Sequence, residues 1–409
     1  VKSIFLIIFS LVLLTCHKPL PVPEPVTLSI PLNEMVLRQK LVEFQWQEKV
    51  DAVGYNIQID KKNSFSHPII DSTVTDTAFA IELADGNYFW RVRVLSKDSV
   101  WGEWSETWSF MIERYRIISQ TQTYGYAHDV FVREPYAYIA DGQAGLTVLN
   151  IEDSQEPVIA ANIMDTTNEA WGVAVENHYA YIAYGSYELQ IVDISELDTL
   201  RFFGSLYHPT PAFGYDIVVE NNLAYIAALS QFLIVDVSDP LYPRQLYQRV
   251  FPANVRGVAI FDTFAIIACE QLGIYIYDLR HTTQPEIVGW CDTPGNARDV
   301  FISDSFAFVA DGTGGIVVIN IKDKTNPQII SRLDLPGYAR KIYMVDNLLY
   351  IALGDSGLGV VDINNPNEPK IDAIMKIGGY AYSVFVLDDY IYIAHGRSGL
   401  TIVAKEEEK

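Results

Sequence analysis

One pattern recurs seven times from about residue 115 onwards, and nothing else in the sequence limits the fold as much. Each copy contains a strand-like segment of the Tyr-Ile-Ala kind. The alanines that close these segments are Ala140, Ala183, Ala227, Ala268, Ala310, Ala352 and Ala394, spaced 41 to 44 residues apart. A separate apolar column keeps the same rhythm: Val130, Val173, Ile217, Val258, Val300, Ile342 and Val384. A unit of this length cannot bury its apolar faces alone, so successive copies must stack on one another.

Within a copy the sequence predicts four short strands. The sixth shows them well as "RKIYMVD", "LLYIALG", "GLGVVDI" and "PKIDAIMK", separated by Asp-Asn, Asp-Ser-Gly and Asn-Pro-Asn-Glu-Pro turns. Seven four-stranded units at this period predict an all-β chain built as a seven-bladed β-propeller, one unit per blade. The seventh copy has three strands and no fourth. The segment "YRIISQTQTYGY", residues 115–126, aligns with "PQIISRLDLPGY", the last strand of copy five, and has no first three strands of its own. Strand 115–123 is therefore expected to complete the seventh blade and leave no open edge between first and last.

The third strands, "LQIVDIS", "LIVDVSDP", "IYIYDL" and "GVVDINNP", resemble the LVIVD repeat, a β-propeller repeat of bacterial exported and surface proteins. The resemblance spans roughly residues 115–404, all seven copies. It implies the propeller fold and no particular activity. The Asp or Asn it carries stands at Asn150, Asp193, Asp236, Asp278, Asn320 and Asp362, and reads as a turn cap.

Residues 26–113 form a second region. Its runs "LVEFQW", "GYNIQID", "NYFWRVRVL" and "TWSFMI" alternate, with Tyr88, Trp90, Val92 and Val94 on one face and Phe89, Arg91 and Arg93 on the other. This stretch resembles a fibronectin type III domain. Trp46, Tyr55 and Tyr88 match its core aromatics, and "WGEWS", Trp101 to Ser105, matches the Trp-rich segment before its last strand. The resemblance implies a β-sandwich preceding the propeller, which itself takes residues 114–409.

Residues 1–15 read as an export signal. The apolar run Ile4 to Leu14 would reach only about 16 Å as a helix, against a hydrocarbon core of about 30 Å. It ends in Leu-Leu-Thr-Cys, which resembles the bacterial lipobox and implies lipidation of Cys16, with residues 16–25 as lipidated Cys and Pro-rich linker. His17 follows where an inner-membrane retention signal would place Asp, so the expected address is the outer membrane or cell surface. A net charge of -22 argues against nucleic acid and against charge-driven membrane docking, leaving the lipid anchor as the one membrane contact. Cys269 and Cys291 fall at the ends of the second and fourth strands of one copy. At two inter-strand spacings, about 9–10 Å, they are out of disulfide reach and are expected as free, largely buried thiols.

In a propeller the loops entering first strands and those joining second to third strands share one face. Two residues before the apolar anchor stand His128, Trp171, Tyr215, Arg256, Arg298, Arg340 and Tyr382, all aromatic or cationic. Arg forks suit carboxylate or phosphate, and aromatic faces suit sugar rings or apolar side chains. The same residues would equally form a packed structural ring. The next position holds Asp129, Asp216 and Asp299, read as local turn caps or Arg partners. Asp141, Asp311 and Asp355 sit in turn sequences. His395 and Arg397 are expected beside His128 at the closing seam. No nucleophile elbow, phosphate loop or zinc motif is present, so no catalytic residue, metal or cofactor is expected. The function expected is a non-catalytic, monomeric binding or adhesion module that presents the propeller face to a protein or glycan. The alternatives are a glycan lyase or hydrolase, or a scaffold subunit of a surface complex.

Overall fold

The computed structural model describes residues 22–165, 168–185, 187–207 and 213–405. Residues 1–15, expected as an export signal, and Cys16 lie outside the described residues. The chain divides into two compact units between Ile112 and Glu113.

The first unit is all-β. One sheet orders Leu28–Ile30, Leu41–Trp46 and Ala78–Glu82; the other orders Met35–Leu37, Trp108–Ile112, Gly86–Ser96, Ala52–Asp60 and Ile70–Val74. Period-two alternation puts Tyr88, Trp90, Val92 and Val94 into one core with Phe44, Trp46 and Tyr55. On the opposite face Arg93 stacks between Trp101 and Trp104, and Arg91 between Trp104 and Phe65.

The second unit contains, among the described residues, seven four-stranded antiparallel sheets. The sixth runs Lys341–Val345, Leu348–Ala352, Leu358–Asp362 and Lys370–Met375, as its turn signals predict. The first strands are Asp129–Arg133, Ala170–Glu176, Gly214–Glu220, Gly257–Phe261, Asp299–Ser303, Lys341–Val345 and Ser383–Leu387. Each touches the next in order and the seventh touches the first, so the sheets close a propeller-like ring. Alternation in the second strands builds the cores between sheets. Tyr138 and Ala140 pack with Val173 and Ile182 of the following sheet, while Ala137 and Ile139 pack with Tyr392 and Ala394 of the preceding one. The six Asp and Asn residues at the third-strand ends each accept a hydrogen bond from the amide two residues on, at 2.8 to 3.0 Å, so the repeat's signature residue is a turn cap.

The seventh sheet is made from both ends of the unit. Ser383–Leu387, Tyr390–Ala394 and Leu400–Lys405 are followed by Tyr115–Thr121, which pairs antiparallel with Leu400–Lys405. This ladder slips register between Ile402 and Val403. The other six sheets slip at the equivalent place between third and fourth strands, for example between Val318 and Ile319. The joined ladder thus reproduces the local ones. Ser119 and its aligned counterpart Ser331 also act alike, each donating to a carbonyl 35 residues on, Ser154 at 2.8 Å and Pro366 at 2.6 Å. On the other side, Arg114 pairs with Asp372 of the sixth sheet at 3.0 Å, both buried, and Tyr115 donates to the same carboxylate at 3.4 Å.

One expectation is corrected. Cys269 is buried, with its thiol pushed up by burial, but Cys291 ends the outermost strand of its sheet and is only half-buried. Both are free.

Deleting Tyr115 to Gln122 removes the closing ladder, together with the buried Tyr115 and the half-buried Ile117. At about 2 kcal/mol per large apolar side chain and about 2–4 °C per kcal/mol, the second unit should melt roughly 10 °C lower or fail to fold. Calorimetry showing an unchanged transition would contradict the closure.

Candidate binding site

The seven residues two positions ahead of the anchor column line one cavity of about 50 Å3 at the centre of the sheet ring. The alanine column positions them. The amides of His128, Arg256, Arg298, Arg340 and Tyr382 donate to the carbonyls of Ala140, Ala268, Ala310, Ala352 and Ala394, at 2.8 to 2.9 Å. Each side chain is therefore carried at the entry of its first strand, beside the channel.

The side chains contact one another around the channel. His128 stacks on Trp171 with centroids 3.9 Å apart, Trp171 meets Tyr215 edge-on at 5.6 Å, and Arg256 lies 3.8 Å over Tyr215. Arg340 lies 4.5 Å over Tyr382, which meets His128 edge-on at 5.1 Å. Glu270 bridges Arg256 at 2.6 Å and Arg298 at 3.2 Å. Burial, then the neighbouring Arg256 and Arg340, bring Arg298 down to about 10. Burial and Arg340 bring His128 down to about 3, so its imidazole is neutral. Three buried nitrogens of residues that line this cavity have no hydrogen-bond partner: His128 Nδ1, Trp171 Nε1 and Arg340 Nε. Such orphaned groups cost about 1–3 kcal/mol each unless something satisfies them.

Below this tier lies a second: Asp129, Gly172, Asp216, Gly257, Asp299, Lys341 and Ser383. Here the expectation of local turn caps or Arg partners fails. Asp129, Asp216 and Asp299 are buried, and each accepts the anchor amide of the following sheet, Val173, Val258 and Ile342, at 2.9 to 3.0 Å. Their other oxygens turn to the channel, where Lys341 meets Asp216 at 2.6 Å and Asp299 at 3.7 Å and Ser383 donates to Asp129 at 2.5 Å. The glycines between them are steric partners: a Cβ at Gly257 would stand 2.7 Å from the Asp299 Cα. Burial works against the Lys341 ammonium, but Asp216, Asp299 and Asp129 together hold it above its ordinary range. Burial raises Asp129 and lifts Asp299 to about 7, with Lys341 drawing both down and Asp216 pushing both up.

The remaining candidates separate. Arg397 lines an adjoining groove of about 660 Å3 that shares His128 and Tyr382 with the cavity. His395 does not join it: the ring is buried in its own turn, where Nδ1 bonds Thr401 at 2.8 Å. Asp141 does the same work in the first sheet, accepting from Thr123, Thr147 and the Gly125 amide, and Asp311 does so in the fifth through Thr293 and Gly295. Asp355 falls two residues later in its turn and is exposed. Lys341 and Glu270 escaped the sequence reading. Lys341 sits next to the more conspicuous Arg340; Glu270 is the acid in a turn column otherwise rich in glycine.

A carboxyl whose folded pKa is raised stabilises the fold below its unfolded pKa and loses that contribution as pH climbs through the folded value. Between about pH 4 and pH 7, wild type should lose stability relative to Asp299→Asn, which keeps an acceptor for the Ile342 amide. The loss should be roughly 2–4 kcal/mol. Urea unfolding across this range checks it, and parallel pH curves for the two proteins would contradict the buried-carboxyl account.

A model of the LVIVD repeat matches residues 124–165, 168–206, 214–246, 294–334, 336–375 and 378–403, more than half of the chain. The fourth sheet, Gly257 to Cys291, lies outside these matches yet has the same four strands. No curated protein matches the chain. Among solved structures, the WD40 β-propeller domain of Doa1 is similar at 9% identity with a TM-score of 0.57, over 72% of this chain and 97% of that one. The β-propeller domain of Cps50 (Swd1) from Myceliophteria thermophila is similar at 9% identity with a TM-score of 0.58, over 72% and 100%. These likenesses speak for a propeller-like fold alone. With its repeats matched in six segments and folded as such sheets, the chain belongs to the LVIVD repeat family.

Proposed function

We propose that this protein is a non-catalytic binding module of the bacterial envelope: a lipoprotein anchored at Cys16, with a fibronectin type III-like sandwich and a seven-bladed propeller. The sandwich reading draws on the Tyr88 hydroxyl, which donates to the Ala84 carbonyl at 2.8 Å, as a tyrosine corner does. The anchor reading rests on Leu-Leu-Thr-Cys following the apolar run.

One observation carries the binding reading. The seven aromatic and cationic residues converge on a single cavity and leave three buried nitrogens there without partners. Packed cores elsewhere in the chain also leave polar atoms unpaired, Trp46 Nε1 and Trp90 Nε1 among them, so the weight falls on charge: three arginines meet at this cavity, and among the described residues Glu270 is the one carboxylate that pairs with any of them. The ligand is a protein or glycan segment that brings hydrogen-bond acceptors and negative charge to the mouth. A hydrolase or lyase would need free acids there. Asp129 and Asp216 do line the cavity, but every carboxylate oxygen of both already accepts a bond from Ser383, Lys341 or an anchor amide. That favours binding over catalysis.

On peptide and glycan arrays the purified protein should capture a ligand that the double variant Arg298→Ala, Arg340→Ala binds at least tenfold more weakly, while circular dichroism shows the variant still folded at the assay temperature. Equal capture by both proteins, or no ligand on either array, would count against the mouth as the site.

A further inference from the structure

The repeat supplies its own template for what the mouth takes. In five of the sheets the turn after the second strand holds a residue that bridges to the entry of the next first strand. These bridges are Gly142 to Ala170, Glu270 to Ala297, Gly312 to Ala339, Gly354 to Ala381, and Gly396 to Ala127. Glu270 is thus the structural equivalent of Gly312 and Gly354. It has a positive φ of 38°, a conformation its glycine counterparts adopt without a Cβ penalty. The carboxylate it carries joins the arginine of its own sheet, Arg256, to the arginine of the next, Arg298. By the same geometry Gly312 stands where an acid would join Arg298 to Arg340, and it has no side chain to offer. The Tyr338 ring covers Gly312 and fills volume there, but brings no negative charge. Among the described residues Arg340 makes no ion pair, and its buried Nε has no partner.

Resting on the binding reading above, we infer that the mouth receives one carboxylate side chain of an acidic peptide, which enters from the channel and sits between Arg298 and Arg340, since the Tyr338 ring takes the room that a side chain at residue 312 would need. The cavity size selects the carrier. About 50 Å3 holds little more than a carboxylate on a methylene stem. A glutamate or aspartate side chain reaches in on such a stem, whereas the acid of a uronic sugar comes attached to a ring too wide to follow it. The rest of the peptide has room in the adjoining groove of about 660 Å3, where Tyr124, Tyr126 and Met164 offer apolar faces and Gln143 and Arg397 offer polar ones. The net charge of -22 does not forbid this partner. Repulsion from distant acids is screened beyond about 8 Å at physiological salt, and the arginines act at contact.

The test is calorimetric titration of the full chain with N-acetyl-Ala-Glu-Ala-amide, its Gln counterpart, sodium glucuronate and inorganic phosphate. The Glu peptide should bind at least tenfold more tightly than the other three. Arg340→Gln should lose that preference while melting as wild type does, and Arg340→Lys, which keeps charge but not the fork, should retain part of it. Glu270→Gly, the residue its counterparts carry, vacates a second bay between Arg256 and Arg298 and should raise the stoichiometry of the Glu peptide from one towards two. Equal affinity for Glu and Gln peptides, stronger binding of glucuronate or phosphate, or a preference that survives in Arg340→Gln would overturn the inference. An array ligand that needs Arg298 and Arg340 but carries no carboxylate side chain would overturn it too, and would leave the binding reading standing.

Discussion

A ring of sheets keeps its shape only if the last sheet is fastened to the first, and here a ladder between Tyr115–Thr121 and Leu400–Lys405 does the fastening. The two strands lie nearly three hundred residues apart in sequence, yet their pairing carries the same register slip as every local pairing in the ring. The closing strand also holds both neighbours, through Asp372 on one side and the Ser154 carbonyl on the other. Without that join the seventh sheet has an open edge, and the first strands that carry the mouth residues are no longer held at fixed spacing around the channel.

The closed ring fixes charges where water would otherwise relax them. In the lower tier, three aspartates, one lysine and the small residues between them interlock, and each aspartate grips the backbone of the next sheet. Breaking one member of such a buried set leaves the others uncompensated, so the tier works as a structural hub. The upper tier is balanced on its aromatic side by stacking and at Arg256 and Arg298 by Glu270. It is not balanced between Arg298 and Arg340. The lower tier satisfies its charges within the fold, and the gap above it is the ground for the proposal that the mouth takes a charge from outside.

Much of this was legible in the sequence because both tiers ride on the repeat. The alanine and valine columns placed every second and first strand, and counting back from the anchor put seven mouth residues on one cavity. What could not be read were partners set by closure rather than by period. Lys341 meets Asp216 across 125 residues, so no local pattern links them. His395 was placed by its loop, but loop membership does not say which way a ring turns, and Thr401 drew it inwards. Glu270 left a signal in the glycine column, readable only by someone already asking which turns lack glycine. Cys291 was expected to be largely buried from its place at the end of a fourth strand, but that strand is the outermost of its sheet and leaves it half-buried.

The mouth's unfilled charge is tested most directly by a crystal structure of the full chain grown with millimolar acetate at neutral pH. The account predicts a carboxylate held between the Arg298 and Arg340 guanidinium groups in the manner of Glu270 with Arg256. Water alone between the two arginines, with Arg340 left lying over Tyr382 and Tyr380 as it does without a ligand, would contradict it.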